Sequence, residues 1–326
     1  MSKKILVSGI QSSGKLHIGN YFGAIKQNVE LGNSGDYESY VFIADYHSMT
    51  SLTDSKARLE NTFDAACTYL ACGLDTEKVT LFKQSDVPDH TELSWILSTL
   101  TPMPMLMLAH SFKDSEAKNK DINAGLFTYP VLMAADILMY DADVVPVGRD
   151  QEQHVEIARE LAGKYNRAYV ETFKMPQAYI KKDVATVPGV DGTKMSKSKG
   201  NTIPLFASDE EITKAVMSIV TDSARPEDKK NPDENNIYQI HKLFLTEEED
   251  AALRARYTDG GLGYKEAKEI CRDAIINFVA PMRVRYDYYQ ANPDEVWEIL
   301  KNGGAKARAR ARVMMDKIRK DTGLDR

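Results

Sequence analysis

Two short stretches of this chain carry the residue types that polyphosphate chemistry uses. Gly9-Ile10-Gln11-Ser12-Ser13-Gly14-Lys15 follows an apolar run and has the GxxxxGK spacing of a phosphate-cradling loop, and Asp45, at the end of a second apolar run, is a candidate magnesium ligand. That reading, a P-loop NTPase, fails at one residue. Such a loop needs a Ser or Thr hydroxyl on the metal directly after the lysine, and this chain has Leu16. His17-Ile18-Gly19-Asn20 comes next, and far downstream Lys194-Met195-Ser196-Lys197-Ser198 stands among Gly189, Gly192 and Gly200. Alone, a short His/Gly string or a KxxK string says little. The two together, in this order and behind a strand, carry weight.

The pair resembles the HIGH and KMSKS signatures of class I aminoacyl-tRNA synthetases, with Asn20 in place of the second His. The resemblance implies that an amino-acid carboxylate attacks the α-phosphorus of ATP and expels pyrophosphate. Negative charge then grows on the bridging and leaving oxygens, so positioned donors and cations are needed rather than a covalent intermediate. His17 and Asn20 at a helix N-terminus meet free N–H groups that already favour an anion, and an amide still donates to a phosphate or ribose oxygen. Gly19 lets adenine lie against the backbone. Lys194 and Lys197 supply two mobile charges, and the glycines let their loop close and reopen. The expected catalytic residues are His17, Asn20, Lys194 and Lys197.

Thr128–Tyr140 is an apolar helical stretch interrupted by one carboxylate. Tyr129, Met133, Asp136 and Tyr140 share a face at helical spacing. A carboxylate there is costly unless it accepts a hydrogen bond; the donor is either a ligand N–H, for which an indole fits, or a neighbouring backbone or basic group. This segment, with Val145–His154 and the opening Ser8-Gly9-Ile10-Gln11, is similar to the bacterial tryptophanyl-tRNA synthetase family over nearly the whole chain. The resemblance assigns the indole nitrogen to Asp136, the indole wall to Met133 and the α-amino group to Tyr129 and Gln151. It assigns ATP to Gln11, Ser12, Ser13, Gly19 and Asn20, to Gly148, Arg149 and Asp150 about the ribose, to Val187 at the adenine, and to Lys194, Met195, Ser196, Lys197 and Ser198. It further implies L-tryptophan, ATP with Mg2+ on its phosphates and tRNA(Trp) as partners, no metal site of the protein's own, a homodimer and a cytoplasmic enzyme. Three positions depart from the family's common pattern: Ser12 stands for Pro, Val7 for an aromatic, and Met103–Lys113 has its own form, with Lys113, Lys118 and Lys120 as further basic candidates.

The elements that must position these residues read as α/β. Continuous apolar runs at Ile5–Val7, Tyr40–Ala44 and Val79–Phe82 predict buried strands, and Val144–Val147 a fourth. A helix is expected over about 56–72 with Leu59, Phe63, Ala66 and Leu70 inward, and another over about 151–165 with Val155, Ala158 and Leu161 inward. Strand, helix, strand in this order gives βαβ units, hence a Rossmann-like parallel sheet as the catalytic domain over 1–204. Beyond it the segments are helical. Ser208–Glu211 and Thr246–Glu249 match capping boxes, and Asn292-Pro293 opens a helix that Gly303-Gly304 should close. This smaller helical domain, 205–326, is the one the resemblance assigns to the tRNA anticodon.

Composition sets the outer limits. The chain has 326 residues, 43% hydrophobic and 28% charged, which excludes disordered, collagenous and coiled-coil classes. Three cysteines in no CxxC spacing predict neither a disulfide framework nor a zinc site, and the start is too short in apolar residues for a signal peptide or membrane span. Net charge is −6, yet residues 301–326 hold nine basic and three acidic side chains, so a +6 tail follows a −12 body. Ala307, Ala311, Met314 and Ile318 in that tail recur at helical spacing, so it should dock by an apolar face, with its arginines either on tRNA phosphates or offsetting the body. Two readings compete with the synthetase above. Tyrosyl-tRNA synthetase shares the architecture, but it needs partners for a phenol that both donates and accepts. A non-catalytic, synthetase-like RNA-binding protein would shed signature residues that this chain keeps.

Overall fold

The computed structural model describes residues 3–12, 14–117, 121–181 and 187–325. The chain divides into two compact units that interleave in sequence: Met1–Gly14, Gln27–Lys182 and Asn292–Arg326 form the first, and Lys15–Lys26 with Asp183–Ala291 the second. The sequence suggested a single boundary near 205. Two local pairings explain the difference. The string around His17 is hydrogen-bonded to the segment after the lysine loop, with Ile18 N donating to Ile203 O at 3.0 Å and Leu205 N to Leu16 O at 3.1 Å, and the last helix packs on a strand of the first unit.

Among the described residues the first unit holds one parallel sheet of five strands in the order β3-β2-β1-β4-β5. They are β1 (Lys4–Ile10), β2 (Tyr37–Ile43), β3 (Val79–Lys83), β4 (Val144–Pro146) and β5 (Gln177–Tyr179). Ile5 and Val7 of β1, Tyr40 and Phe42 of β2 and Phe82 of β3 face one core, while Leu6, Val41, Ile43 and Leu81 are buried on the other side. Burial on both faces is why these strands read as unbroken apolar runs. Val7 is 1% exposed inside this core. The helix Ser55–Ala71 is capped by Asp54 and buries Ala66 and Leu70, but Leu59 is 57% exposed rather than inward, at the solvent edge of an otherwise correct helical face. In the helix Glu152–Ala168, Val155, Ala158 and Leu161 are buried as their spacing predicts.

Gly303 and Gly304 do not end a helix. They lie inside the unbroken helix Pro293–Asp321, and a Cβ on Gly303 would fall 1.8 Å from the Leu81 carbonyl oxygen of β3. One on Gly304 would fall 2.7 Å from the Asp86 Cβ. Gly303 lets helix backbone approach strand backbone, and Gly304 makes room for the Asp86 side chain. Ala307, Ala311, Met315 and Ile318 then join the sheet's core, with Met314 packed against it. Gly→Ala in a helix interior ordinarily stabilises by roughly 0.5–1 kcal/mol. Gly303→Ala should instead destabilise by about 1–3 kcal/mol through overpacking, which denaturant unfolding will show as a lower midpoint; a raised midpoint would disprove the close contact.

Several basic residues of this helix bond within the first unit, while Lys301, Lys306, Arg312 and Lys320 are exposed. Arg308 donates to the Asp86 carbonyl, Arg310 to the Tyr140 carbonyl at 3.5 Å and Lys317 to the Glu171 carbonyl at 3.5 Å, while Arg319 forks onto Glu92 at 2.5 and 2.8 Å. Of these contacts those of Arg319 reach an acidic side chain, and the other three meet backbone carbonyls.

In the second unit, Ser208 and Thr246 form the capping boxes expected with Glu211 and Glu249, opening the helices Asp209–Met217 and Glu247–Asp259. Ile212 and Val216 of the first of these and Cys271, Ile275 and Val279 of the long helix Tyr264–Ala291 are all buried. Among the described residues no helix is long and apolar enough to cross a membrane.

Candidate active site

In a parallel sheet the strand carboxyl ends all emerge at one edge, and ligands lie outside them where the strand order reverses. Here that reversal falls between β1 and β4. Gln11 and Ser12 follow β1, and Gly148, Arg149 and Asp150 follow β4, so the candidate ATP residues of the first unit flank it. Gln11 donates to the His47 carbonyl at 3.1 Å; Ser12 is 1% exposed and accepts from the Thr62 hydroxyl at 3.3 Å. Gly148 leads into a 3-10 turn, Arg149–Gln151, in which Gln151 donates to Asp150 at 3.0 Å; a Cβ on Gly148 would fall 2.8 Å from the Asp150 carboxylate. Ser13, Lys118 and Lys120 lie outside the described residues.

Asp136 sits within the helix Ala124–Leu138, 1% exposed, at the centre of a network that sequence reasoning missed. Gln84 donates to both of its oxygens at 2.8 and 3.0 Å, His47 Nε2 lies 2.8 Å from Oδ2, and His90 Nδ1 bonds Oδ1. On its far side His90 Nε2 meets the Tyr140 hydroxyl at 2.7 Å. Burial opposes ionisation of Asp136, but the His47 hydrogen bond and the His90 charge and hydrogen bond outweigh it, and the carboxyl is lowered to about 2. Asp136 is therefore a carboxylate at neutral pH and its lone pairs are well supplied. Oδ2 faces His47, whose side chain is 13% exposed, and also accepts from Gln84, whereas Oδ1 faces the fully buried His90. His47 and Gln84 each lie just past a strand end, β2 and β3 respectively, and His90 opens the next helix. The strand-end rule was the signal that could have found them.

Tyr129 and Met133, on the same helix as Asp136, are half-buried. The Tyr129 hydroxyl shares a 2.7 Å hydrogen bond with His154 Nε2, and its ring meets the His47 ring edge-on at 5.8 Å. Burial, then the charges of His110 and His47, push His154 down to about 4, so it is neutral at physiological pH.

The second unit holds the other two signatures. His17 caps a single helical turn, Ile18–Asn20, that continues through a wider π turn, Tyr21–Ile25. Asn20 Oδ1 accepts from the His17 backbone N–H at 3.1 Å. A Cβ on Gly19 would lie 2.9 Å from His17 Nδ1 and 3.3 Å from the Met195 sulfur, so Gly19 is the space between histidine and lysine loop. Burial and then the Lys197 charge lower His17 to about 4. Its imidazole is therefore uncharged at neutral pH. Val187 and Met195 are each 5% exposed and joined by a 3.0 Å backbone hydrogen bond, which closes the lysine loop into a hairpin. Ser196 and Ser198 share a hydroxyl hydrogen bond of 2.9 Å, and Lys197 begins the turn Lys197–Lys199. The structure thus groups His17, Gly19 and Asn20 with the lysine loop in one unit. It groups Gln11, Ser12, Tyr129, Met133, Asp136 and Gly148–Gln151 in the other.

A parallel sheet with this order, a His-x-Gly-Asn turn and a lysine hairpin define a class I synthetase catalytic fold. The chain belongs to the family of class I tRNA synthetases for W and Y, whose profile matches residues 2–280. Within it, the tryptophan–tRNA ligase of Fusobacterium nucleatum is 50% identical over 98% of this chain and 97% of its own. The crystal structure of tryptophanyl-tRNA synthetase from Campylobacter jejuni complexed with ADP and tryptophan superimposes with a TM-score of 0.89 at 46% identity, covering 98% of this chain and 99% of that one. A tyrosyl-tRNA synthetase from Archaeoglobus fulgidus, complexed with L-tyrosine, shares the fold at a TM-score of 0.69 and 20% identity, covering 87% of this chain and 90% of that one.

Proposed function

We infer that this protein is a tryptophan–tRNA ligase: it activates L-tryptophan with ATP, releasing pyrophosphate, and then transfers the tryptophanyl group to its tRNA. The observation that carries the reading is the full-length likeness, at 46% identity, to an enzyme crystallised with ADP and tryptophan. The buried acceptor Asp136, set in an otherwise apolar helix, is the local support. A tryptophan carboxylate oxygen attacks the α-phosphorus, the bond to the bridging oxygen breaks, and pyrophosphate leaves. Asp136 accepts the indole N–H, Met133 packs on the ring, and Tyr129 and Gln151 hold the α-amino group. Gln11, Ser12, Ser13, Gly19, Gly148, Arg149, Asp150 and Val187 hold the nucleotide, while His17, Asn20, Lys194 and Lys197 meet the charge that grows on the phosphates.

Mg2+ enters this reading on the ATP phosphates, where it offsets their charge. The helical region after residue 205 is the part the resemblance gives to the anticodon, and the cytoplasm is the compartment where all three substrates meet. ATP–pyrophosphate exchange assayed with each amino acid in turn tests the reading. Exchange with tryptophan alone supports it, exchange with tyrosine alone replaces it, and silence with every amino acid leaves an RNA-binding relative.

A homodimer is part of the proposal. Trp95 (73% exposed), Met103 (61%), Met107 (51%) and Leu108 (59%) put large apolar side chains in water within one short stretch of the first unit. Such a surface suits a second copy. Trp95→Lys should weaken association by about 2 kcal/mol or more if Trp95 is a central anchor, and sedimentation will then show monomers at concentrations where the unaltered protein pairs. An unchanged dimer would move the interface elsewhere.

A further inference from the structure

Asn201 follows the lysine string by three residues, and no part of the reading above uses it. Its side chain is 2% exposed and makes four hydrogen bonds. Oδ1 accepts from the Ser196 backbone N–H at 2.8 Å. Nδ2 donates to the Asp191 carboxylate at 2.7 Å, to the Thr193 hydroxyl at 3.2 Å and to the Lys194 carbonyl at 3.2 Å. Its backbone carbonyl also accepts from Val190 N at 3.0 Å. One amide therefore ties both arms of the hairpin, and two of its bonds fall on Lys194 and Ser196, the residues just ahead of and behind Met195.

The site is shaped for this side chain. A Cβ on Gly189 would fall 2.3 Å from Asn201 Nδ2 and 2.6 Å from its backbone oxygen, so only glycine admits the amide there. Gly200, at φ +66°, turns the chain left-handed just before it, a conformation glycine adopts without strain. Asp191, besides Asn201, accepts from Thr193 N at 2.9 Å, and Lys199 donates to the Thr193 hydroxyl at 3.0 Å. An amide brings donors and an acceptor in one plane. Aspartate lacks the donors, and serine lacks the reach.

We propose that Asn201 is a positioning residue for adenylate formation: its amide clamps the backbone between Lys194 and Lys197 and so sets the spacing at which the two ammonium groups meet the pyrophosphate of ATP. The proposal rests on the reading in which those lysines act on ATP. Asn201 acts through the lysines, without touching substrate.

The test compares Asn201→Ala, Asn201→Asp, Lys197→Ala and the Asn201→Ala/Lys197→Ala double variant by pyrophosphate exchange and by thermal unfolding. Asn201→Ala should lower kcat about tenfold, the scale of a lost buried hydrogen-bonding group, and leave the KM for tryptophan unchanged. Asn201→Asp keeps the shape but sets a second carboxylate against Asp191, and should lose at least as much. In the Lys197→Ala background, removal of Asn201 should cost little more, because both act on one step. A slow Lys197→Ala beside a normal Asn201→Ala or Asn201→Asp overturns the clamp and spares the loop reading. A normal Lys197→Ala overturns the loop reading and the clamp with it. Fully additive losses would make Asn201 structural only. Should Asn201→Ala fail to fold, the isosteric Asp variant decides between the same outcomes.

Discussion

Asp136→Ala should raise the KM for tryptophan about ten- to a hundredfold or more, since a hydrogen bond to a charged group contributes roughly 1.5–3 kcal/mol, while the KM for ATP stays near its starting value. The asymmetry is the point. Asp136 lies in the helix Ala124–Leu138, whereas the nucleotide candidates of the first unit follow β1 and β4. Equal effects on the two constants would remove Asp136 from recognition. The same change strips His47, Gln84 and His90 of a shared acceptor. Removing one member of a buried charged network costs roughly 3–5 kcal/mol, so the variant should also melt earlier. Kinetics must therefore be read below its own midpoint. Asp136→Asn separates the effects, because it keeps the volume and one acceptor oxygen while turning an amide N–H toward its neighbours; recognition should suffer more than stability.

Lys197→Ala should slow adenylate formation by about 2.7–4 kcal/mol, on the order of a hundred- to a thousandfold, if its charge is worth as much as an oxyanion-hole donor. Lys197 is close enough to His17 for its charge to help lower the imidazole to about 4, so the two share one electrostatic environment. The cation is the lysine, and the imidazole is uncharged at neutral pH. The loss belongs in the single-turnover rate of adenylate formation, with the KM for tryptophan little changed. A single-turnover rate equal to that of the unaltered enzyme would take Lys197 out of the transition state.

What the sequence made legible follows from physics that acts locally. β1, β2 and β3 were visible because both faces are buried, and the capping boxes because four residues suffice to write one. β5, Gln177-Ala178-Tyr179, was not, since three residues with no apolar run have no period to detect. Gly303-Gly304 looked like a stop because a helix end and a close backbone approach ask for the same residue; only the position of Leu81 tells them apart. Asp136 could be singled out on its own helix, but its partners come from positions 47, 84 and 90, and nothing in one chain links them before the sheet brings its strand ends together. Asn201 was not singled out, because an asparagine just past a loop glycine carries no signal of its own until the hairpin folds around it.

The long last helix has a consequence for how the protein is made. β3 is a sheet edge, and the helix surface that covers its Leu81 backbone lies at Gly303, more than 200 residues further along the chain. A ribosome releases Asp183–Ala291 before it releases that cover. The second unit can therefore fold while the first still shows an open β-edge to its surroundings, and a nascent chain that stalls in that interval presents a template for pairing with other strands. The edge strand of the first unit is thus sealed by a helix translated more than 200 residues after it, and β3 stays open until that helix has emerged and docked.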